Sequence, residues 1–271
     1  MNRYTQAGCT ALVTGAASGL GKGLADAYAA RGLHVVYADI NEAGVLAATA
    51  AAGPNCIGVQ LDVADAHACL ALIDEIVARR GRLDLLINCA GYAVAGETQN
   101  TTVDDWRRIV DVNLLGNVHC AVHAYKQMVR QGGGQIATIA SLAGLLPMPM
   151  SSPYATTKAA LVNFSHTLRA EGQALGVQVG VVCPSFIDTA IFDHAHYREV
   201  DQQGLRSLIP LPLLTVEQAV RKMLAGIDAN RATVVFPLHA HLLWWGQRLL
   251  PVMSNPVHKL LMKKARALRK K

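Results

Sequence analysis

A tyrosine and a lysine four positions apart, Tyr154 and Lys158, stand just after Pro153. Proline is favoured in the first turn of a helix, and residues four apart share one helical face, so the phenol and the ammonium should point the same way. A free tyrosine has a pKa near ~10, but a neighbouring cation favours phenolate and lowers that pKa. The pair therefore predicts a tyrosine that exchanges a proton with a substrate hydroxyl or carbonyl. The alternative is an ordinary pair on a solvated helix face.

A serine stands thirteen positions before the tyrosine. Ser141 follows the apolar run 136–140, which predicts a strand. Open α/β sheets bind their ligands at the carboxyl ends of strands, so a hydroxyl at this point could hold the substrate oxygen.

A glycine-rich turn near the start of the chain predicts a phosphate cradle. Gly15, Gly19 and Gly21 lie between an apolar strand over 9–14 and a helical pattern that runs to Ala30. Glycines allow a tight turn and close backbone approach to a pyrophosphate, and the following helix N-terminus supplies N–H groups. The strand, turn and helix come in the order that dinucleotide binding requires.

An acidic residue ends the second predicted strand, over 33–38. Asp39 stands 18 residues past Gly21, where a carboxylate can accept hydrogen bonds from an adenosine ribose diol and would repel a 2′-phosphate. The residues after Asp39, Ile40 and Asn41, are not basic, and the residue before Gly19 is Ser18 and not a basic residue. These features favour NAD over NADP. The alternative is that Asp39 caps a helix over 41–52.

Two further predicted strands, over 56–61 and 83–87, end in residues suited to a cofactor. Asp62 and Val63 follow the first, and Asp62 either reaches an adenine edge or caps the strand end. Asn88 to Gly91 follow the second, where small residues let a backbone pass close to the cofactor.

Together these motifs resemble the short-chain dehydrogenase/reductase family over roughly residues 8–236. The resemblance rests on the turn from Thr14 to Gly21, Asn88-x-Ala-Gly91, Ser141 and Tyr154-x-x-x-Lys158. Two positions depart from the family pattern: Cys89 replaces a second Asn, and Ser185 replaces the Gly after Pro184. Both are small residues and are expected to tune cofactor affinity.

The resemblance implies roles for the motif residues. Tyr154 would be the acid/base, Ser141 would hold the substrate oxygen, and Lys158 would lower the tyrosine pKa and bind the cofactor ribose. Asn113, within the helical pattern over 103–130, would anchor a water relay to Lys158; the alternative is a helix-packing amide. The predicted catalytic residues are therefore Asn113, Ser141, Tyr154 and Lys158. The predicted cofactor contacts are Gly15, Ser18, Gly19, Leu20, Gly21, Asp39, Ile40, Asp62, Val63, Asn88, Ala90, Gly91, Tyr154, Lys158, Pro184, Ile187 and Thr189.

The substrate side follows the predicted strand over 177–183. Residues 190–213 lack clear periodicity and carry several apolar side chains, including Leu211, which predicts a lid over the substrate. The predicted substrate contacts are Ser141, Ala143, Leu145, Tyr154, Phe186, Ile191 and Phe192. Such a lining suits an apolar, lipid-, steroid- or retinoid-like alcohol or ketone better than a sugar. His194 and His196 have the spacing of metal ligands, but no metal is predicted.

The composition is that of a folded chain. With 271 residues, 52% of them hydrophobic and 16% charged, the chain can bury a full core and is expected to form one domain. Its six cysteines form no Cys-x-x-Cys pair, and the N-terminus lacks the apolar core of a signal peptide. Both features predict a cytoplasmic protein.

The basic charge is confined to the tail. Residues 248–271 hold eight basic and no acidic residues, whereas residues 1–247 hold 17 basic and 19 acidic residues. This distribution argues against a nucleic-acid partner. We expect an NAD-binding catalytic domain over 1–236 and an apolar, basic tail over 237–271. The tail either lies on an anionic membrane as a peripheral segment or packs on a partner subunit.

The sequence thus predicts an α/β fold, a doubly wound (Rossmann) parallel sheet of about seven strands in a single domain. The predicted function is hydride transfer between NAD and a secondary alcohol or ketone. The alternatives are an NADP-dependent carbonyl or 3-oxoacyl reductase and, in another class, a non-catalytic dinucleotide-sensing protein. By analogy with its relatives, the protein is expected to be a homodimer or homotetramer.

Overall fold

The computed structural model describes residues 2–209 and 213–268. Within these ranges the strands are β1 (Thr10–Thr14), β2 (His34–Asp39), β3 (Cys56–Gln60), β4 (Leu85–Asn88), β5 (Val94–Ala95), β6 (Gly134–Ile139), β7 (Val177–Pro184), β8 (His196–Tyr197) and β9 (Thr233–Phe236). Seven of these described strands form one parallel sheet in the order β3-β2-β1-β4-β6-β7-β9. The prediction of a doubly wound parallel sheet is confirmed.

Helices cover both faces of this sheet. They are α1 (Gly19–Ala29), α2 (Glu42–Ala52), α3 (Ala66–Arg80), α4 (Val103–Ile109), α5 (Gly116–Arg130), α6 (Ser152–Gly172), α7 (Gln202–Ser207), α8 (Val216–Asp228), α9 (Leu238–Leu249) and α10 (Asn255–Ala267). A π-helical turn, Val110–Leu115, joins α4 to α5. None of the helices in the described ranges is both long and apolar enough to cross a membrane.

Alternation along the central strand explains the two layers. Ala11 and Val13 of β1 join the core beneath α1, α2 and α8, whereas Leu12 joins the core beneath α3 and α5. Successive side chains of a strand point to opposite faces, so a strand that is apolar at every position is covered on both. The apolar side chains of β1 are therefore covered by helices on both faces of the sheet.

The strand order places the cleft. β1 lies between β2 and β4, so the connections that leave these strands diverge to opposite faces of the sheet. Ligands of open α/β sheets bind in the crevice that this divergence creates at the carboxyl ends. Gly15, Asp39 and Ser141 follow or end strands at this edge.

Two predicted segments differ from the structure. The helical pattern over 103–130 is interrupted by the π turn, and the predicted lid over 190–213 contains β8 and α7. β8 pairs with β5 in a separate two-stranded sheet, which orders the lid. Leu211 of the predicted lid and residues 269–271 of the predicted tail lie outside the described residues.

An ion pair with a buried carboxylate connects the lid to the body. The Arg198 guanidinium, just after β8, donates hydrogen bonds to both carboxylate oxygens of Asp105 in α4, with Nε 2.9 Å from Oδ2. The Asp105 side chain is 3% exposed. Arg198, and to a lesser extent hydrogen bonds from Thr102, lower the pKa of Asp105 to about 2.

Replacing Arg198 with Met should destabilise the protein in a pH-dependent way. The ion pair stabilises the fold at pH values above the ordinary carboxyl pKa of 3.8 and stops doing so as pH falls towards about 2. We expect a loss of about 1–2 kcal/mol at pH 7, because Asp105 stays buried with only its Thr102 partner. Urea unfolding at several pH values measures the difference.

The matched control is Arg107→Met in α4, whose ion pair with Asp104 is 3.5 Å long and largely exposed. Exposed pairs contribute little, so this variant should unfold like the wild type. An Arg198→Met variant equally destabilised at pH 7 and pH 3 would contradict the proposed role of the ion pair.

Candidate active site

Three of the four predicted catalytic residues, Ser141, Tyr154 and Lys158, lie together at the carboxyl edge of the sheet. Ser141 lies two residues past the end of β6 at Ile139. Its hydroxyl accepts a hydrogen bond from the Ala143 N–H at 3.1 Å, which starts a short 3₁₀ turn. α6 begins at Ser152 with Pro153 in its first turn, as predicted. Tyr154 and Lys158 therefore lie one turn apart near the start of α6. All three line one cavity.

Lys158 is held beneath the tyrosine ring. Its Nζ donates a hydrogen bond of 2.9 Å to the Ile139 carbonyl, the last residue of β6, and lies 5.6 Å from the centroid of the Tyr154 ring. The side chain is 4% exposed. The strand end thus positions the ammonium, and the helix turn positions the phenol above it.

Burial, and not the lysine cation, dominates the titration of this pair. Desolvation raises the pKa of Tyr154 to about 12, an effect that the Ser141 side chain opposes. Desolvation also lowers the pKa of Lys158 to about 8. The prediction that Lys158 lowers the tyrosine pKa is therefore wrong for the protein alone, because the ammonium faces the ring and a carbonyl while both groups are withdrawn from water. The phenol retains its proton at neutral pH.

Asn113 lies in the π turn and clamps the loop beside Lys158. Its Nδ2 donates to the Tyr92 carbonyl at 2.8 Å, and its Oδ1 accepts from the Tyr92 N–H at 3.0 Å. The side chain is fully buried. A buried amide needs partners for both ends, and π turns inside helices occur frequently at functional sites. Asn113 therefore fixes the loop that runs past the lysine, a contact that the sequence did not reveal.

The cavity holds nearly all of the predicted cofactor contacts. It has a volume of about 630 Å³. Its walls include Gly15, Ser18, Gly19, Leu20, Gly21, Asp39, Ile40, Asp62, Val63, Ala90, Gly91, Tyr154, Lys158, Pro184, Ile187 and Thr189. Asn88 is not brought to the cavity: it is fully buried, and its side chain donates to the Asn117 carbonyl at 3.0 Å.

The glycine turn is packed so closely that it fits a dinucleotide cradle. A Cβ at Gly21 would lie 2.1 Å from the Gly15 oxygen, and one at Gly15 would lie 2.9 Å from the Ala90 Cα. Gly15 and Gly19 have positive φ angles of 68° and 54°. The backbone can reach this compact form only with glycine. α1 begins at Gly19, so its first turn, which carries N–H groups without helical partners, borders the cavity.

Asp39 faces the same cavity and is not the cap of α2. The cap is Asn41, whose side chain accepts from the Gly44 N–H at 3.0 Å. Each Asp39 oxygen accepts one backbone bond, from Ala17 and from Asn41, and a carboxylate oxygen can accept a second. Asp62 accepts a bond of 2.9 Å from the Ala64 N–H while it also lines the cavity, so both of its predicted roles fit the geometry.

The two departures from the family pattern both border the cavity. Burial raises the pKa of Cys89 to about 11, which keeps this thiol neutral beside Lys158. The Ser185 hydroxyl lies 3.3 Å from Nε2 of His239 in α9.

The hydroxyl of Thr14 accepts bonds of 3.1 and 3.2 Å from the N–H groups of Cys89 and Ala90 and so joins the ends of β1 and β4.

The other end of the cavity is largely apolar. Ala143, Phe186, Ile191 and Phe192 line it as predicted, whereas Leu145 does not and packs instead in a core cluster with Leu142. Sequence reasoning missed several lining residues, namely Ala93, Ala95, Arg206 and Leu261. Leu261 belongs to α10, and its amphipathic pattern gave no sign that it reaches the cavity.

Comparisons with known proteins agree with this geometry. The chain matches the family model of short chain dehydrogenases over residues 9–199. A 3-oxoacyl-[acyl-carrier-protein] reductase of Escherichia coli is 30% identical over 229 residues, which cover 84% of this chain and 93% of that protein. D-threitol dehydrogenase of Mycolicibacterium smegmatis is 34% identical over 206 residues, covering 75% and 79% respectively.

Two further similarities differ in extent. The probable oxidoreductase EphD of Mycobacterium tuberculosis is 39% identical over 183 residues, 66% of this chain but 31% of EphD, so the chain spans less than a third of that relative. A short chain dehydrogenase/reductase from Burkholderia phymatum in complex with NAD has a TM-score of 0.82 at 25% identity, covering 95% of this chain and 96% of that one. The fold is thus of the Rossmann type. The chain belongs to the short-chain dehydrogenase/reductase family.

Replacing Tyr154 with Phe should abolish turnover while sparing dinucleotide binding. The change removes only the hydroxyl that carries the proton, so we expect kcat to fall at least about 100-fold. The ring that borders the cavity remains, so the Kd for the dinucleotide should change less than about twofold. Absorbance of the reduced nicotinamide and titration calorimetry measure the two quantities.

Tyr197→Phe is the matched control. Tyr197 lines the same cavity, and its hydroxyl donates to the Phe192 carbonyl at 2.7 Å. That variant should keep most of its turnover. Unchanged kcat in Tyr154→Phe would remove the catalytic assignment.

Proposed function

We propose that this protein oxidises an apolar secondary alcohol, or reduces the corresponding ketone, with NAD as the cofactor. The observation that carries the proposal is the position of Ser141, Tyr154 and Lys158 in one cavity. A glycine and carboxylate cradle lies on one side of these residues, and an apolar chamber lies on the other. Bound NAD would supply the hydride acceptor or, when reduced, the donor.

The residues of the group divide the remaining work. The Ser141 hydroxyl would bind the substrate oxygen. Tyr154 would donate its phenolic proton to a carbonyl oxygen during reduction. In oxidation its proton must first leave to solvent, and the phenolate would then accept the hydroxyl proton. A phenol whose pKa is raised to about 12 holds its proton until a basic oxygen forms beside it. Lys158 would hold the cofactor ribose, and Asn113 would act as a positioning residue through the loop at Tyr92.

An apolar substrate fits the lining of the chamber better than a polar one. Its walls include Met148, Phe186, Ile191, Phe192 and Leu261. Apolar pockets with few polar groups favour ligands whose hydroxyl or carbonyl is the main polar feature. We therefore propose a lipid-, steroid- or retinoid-like substrate. The relative named D-threitol dehydrogenase supports a polyol as the competing substrate.

The main alternative is an NADP-dependent carbonyl or 3-oxoacyl reductase, which the 3-oxoacyl-[acyl-carrier-protein] reductase relatives favour. A non-catalytic dinucleotide sensor is the alternative from another class. The complete Asn113, Ser141, Tyr154 and Lys158 set argues against a sensor, because dinucleotide binding alone needs no proton donor.

We also propose a cytoplasmic location, with the tail in contact with an anionic membrane surface, and a homodimer or homotetramer as the assembly. The exposed apolar side chains of α9 support the membrane contact, since Leu242 is 68% and Leu249 is 69% exposed. The oligomer rests on analogy with relatives.

A panel of alcohols tests the function. The protein is assayed with NAD and NADP separately against a steroid, a retinoid, 2-octanol and D-threitol, and with a 3-oxoacyl thioester in the reducing direction. We expect turnover of apolar alcohols with NAD and little turnover of threitol. Preferred reduction of the thioester with NADPH would establish the alternative. Tight NAD binding with no turnover of any compound would favour the sensor.

Replacing Asp39 with Ser should shift the cofactor preference towards NADP. The change removes a negative charge that repels a 2′-phosphate, so the ratio of kcat/KM for NAD to that for NADP should fall at least roughly tenfold. Asp62→Ser, which alters a second carboxylate of the same cavity, should leave the ratio nearly unchanged. If the wild type already prefers NADP, our interpretation of Asp39 is wrong.

A further inference from the structure

The tail helix α10 forms part of the substrate chamber. Leu261 lines the cavity, and one turn further on Ala265 is fully buried. Ala265 and Met262 pack in a cluster with Met150 and with Val200 and Leu205 of the lid. One side of α10 therefore closes the chamber at its apolar end.

Polar contacts hold α10 in this position. The Arg266 guanidinium donates to both carboxylate oxygens of Glu97, at 2.9 and 3.2 Å to Oε2 and 3.3 Å to Oε1. The Glu97 side chain is 8% exposed. The Asp201 N–H donates to the Leu268 carbonyl at 3.3 Å. The helix is thus tied to the chamber near its C-terminal end.

α10 also exposes apolar side chains to solvent. Val257 is 63% and Leu260 is 56% exposed, and neither lines the cavity. α9 and the segment between α9 and α10 also expose apolar side chains. The tail face is defined as the exposed apolar side chains of Leu242, Trp245, Leu249, Leu250, Val252, Val257 and Leu260. Exposed apolar residues concentrated on successive elements mark an interaction surface.

The positive charge of the tail favours a negatively charged partner. Residues 229–271 contain nine Lys or Arg residues and no Asp or Glu. Apolar side chains interleaved with basic ones fit an anionic lipid surface, where both kinds of residue gain energy. A symmetric contact between two copies would place two acid-free, basic tails against each other, and like charges repel. The tail face therefore suits anionic lipid better than a second copy.

We propose that the tail face docks on an anionic lipid surface and that the substrate enters the chamber from the lipid past α10. This inference rests on the proposed function and narrows it to alcohols or ketones dissolved in a membrane. A single helix then separates the lipid from the chamber, with Leu260 on the lipid side and Leu261 on the substrate side. Val257, one turn before Leu261, is exposed at the start of the helix.

The double variant Val257→Glu/Leu260→Glu tests the inference, with Val103→Glu as the matched control. Val103, the first residue of α4, is 66% exposed and is not among the residues that line the cavity. Binding is measured by co-sedimentation with vesicles of equal parts phosphatidylcholine and phosphatidylglycerol, and with pure phosphatidylcholine vesicles. Turnover is measured with 2-dodecanol in the mixed vesicles and with 2-butanol in buffer.

We expect the wild type and Val103→Glu to sediment with the anionic vesicles only. The double variant should lose at least roughly tenfold in partitioning and in kcat/KM for vesicle-borne 2-dodecanol, while its turnover of 2-butanol stays within about twofold. Retained 2-butanol turnover also shows that the variant is folded. If the double variant misfolds, the milder Leu260→Ser variant replaces it. This variant should show an intermediate loss in partitioning and in kcat/KM for vesicle-borne 2-dodecanol.

Wild type that stays in the supernatant would overturn the inference, and so would a double variant with undiminished turnover of 2-dodecanol in vesicles. An equal loss on both alcohols in a folded variant would also overturn it, because entry from lipid would then play no part. If neither alcohol reacts with the wild type, the proposed function fails. Vesicle binding that the double variant loses would still support docking of the tail face.

Discussion

Burial of a lysine ammonium and a tyrosine phenol at one edge of a parallel sheet governs the active-site region. Neither charged form is favoured away from water, so the pKa of Lys158 falls to about 8 and that of Tyr154 rises to about 12. The ammonium is tolerated because the Ile139 carbonyl accepts its hydrogen bond at 2.9 Å. The first turns of α6 must therefore lie close enough to the end of β6 for the Lys158 side chain to reach this carbonyl. The result is a phenol that keeps its proton until a more basic oxygen lies against it.

The rest of the fold divides the cavity around this pair. On one side the close packing of Gly15 and Gly21 and the free acceptor capacity of Asp39 suit a dinucleotide. On the other side the chamber is closed by the lid and by α10. The ion pair of Arg198 with Asp105 and that of Arg266 with Glu97 fasten these two coverings to the body. A rigid strand edge thus carries the polar chemistry, while the later segments of the chain shape the apolar end.

Continuous apolar runs predicted the strands, since a parallel strand is buried on both faces and needs no turn to define it. The glycine turn, Asp39 and the Tyr154 helix were predicted because their chemistry depends on short spacing along the chain. Leu261 and Leu145 were not assigned correctly, because chamber walls depend on how distant segments pack. The direction of the Tyr154 pKa shift was missed for the same reason: spacing gives the distance to a cation but not the extent of burial. Asn88 was predicted as a cofactor contact from its position at the end of β4, but its side-chain amide donates a hydrogen bond to the Asn117 carbonyl.

The protonation state of Tyr154 in the ligand-free protein tests the central claim most directly. The protein contains seven tyrosines. Carbon NMR of protein labelled at the phenolic carbon, with Tyr154 assigned by comparison with Tyr154→Phe, follows its ionisation as pH is raised. Burial predicts a resonance that stays at the phenol position through pH 7 to 10 and moves only near the pKa of about 12. A phenolate resonance at neutral pH would contradict it, because the lysine cation would then outweigh the loss of water.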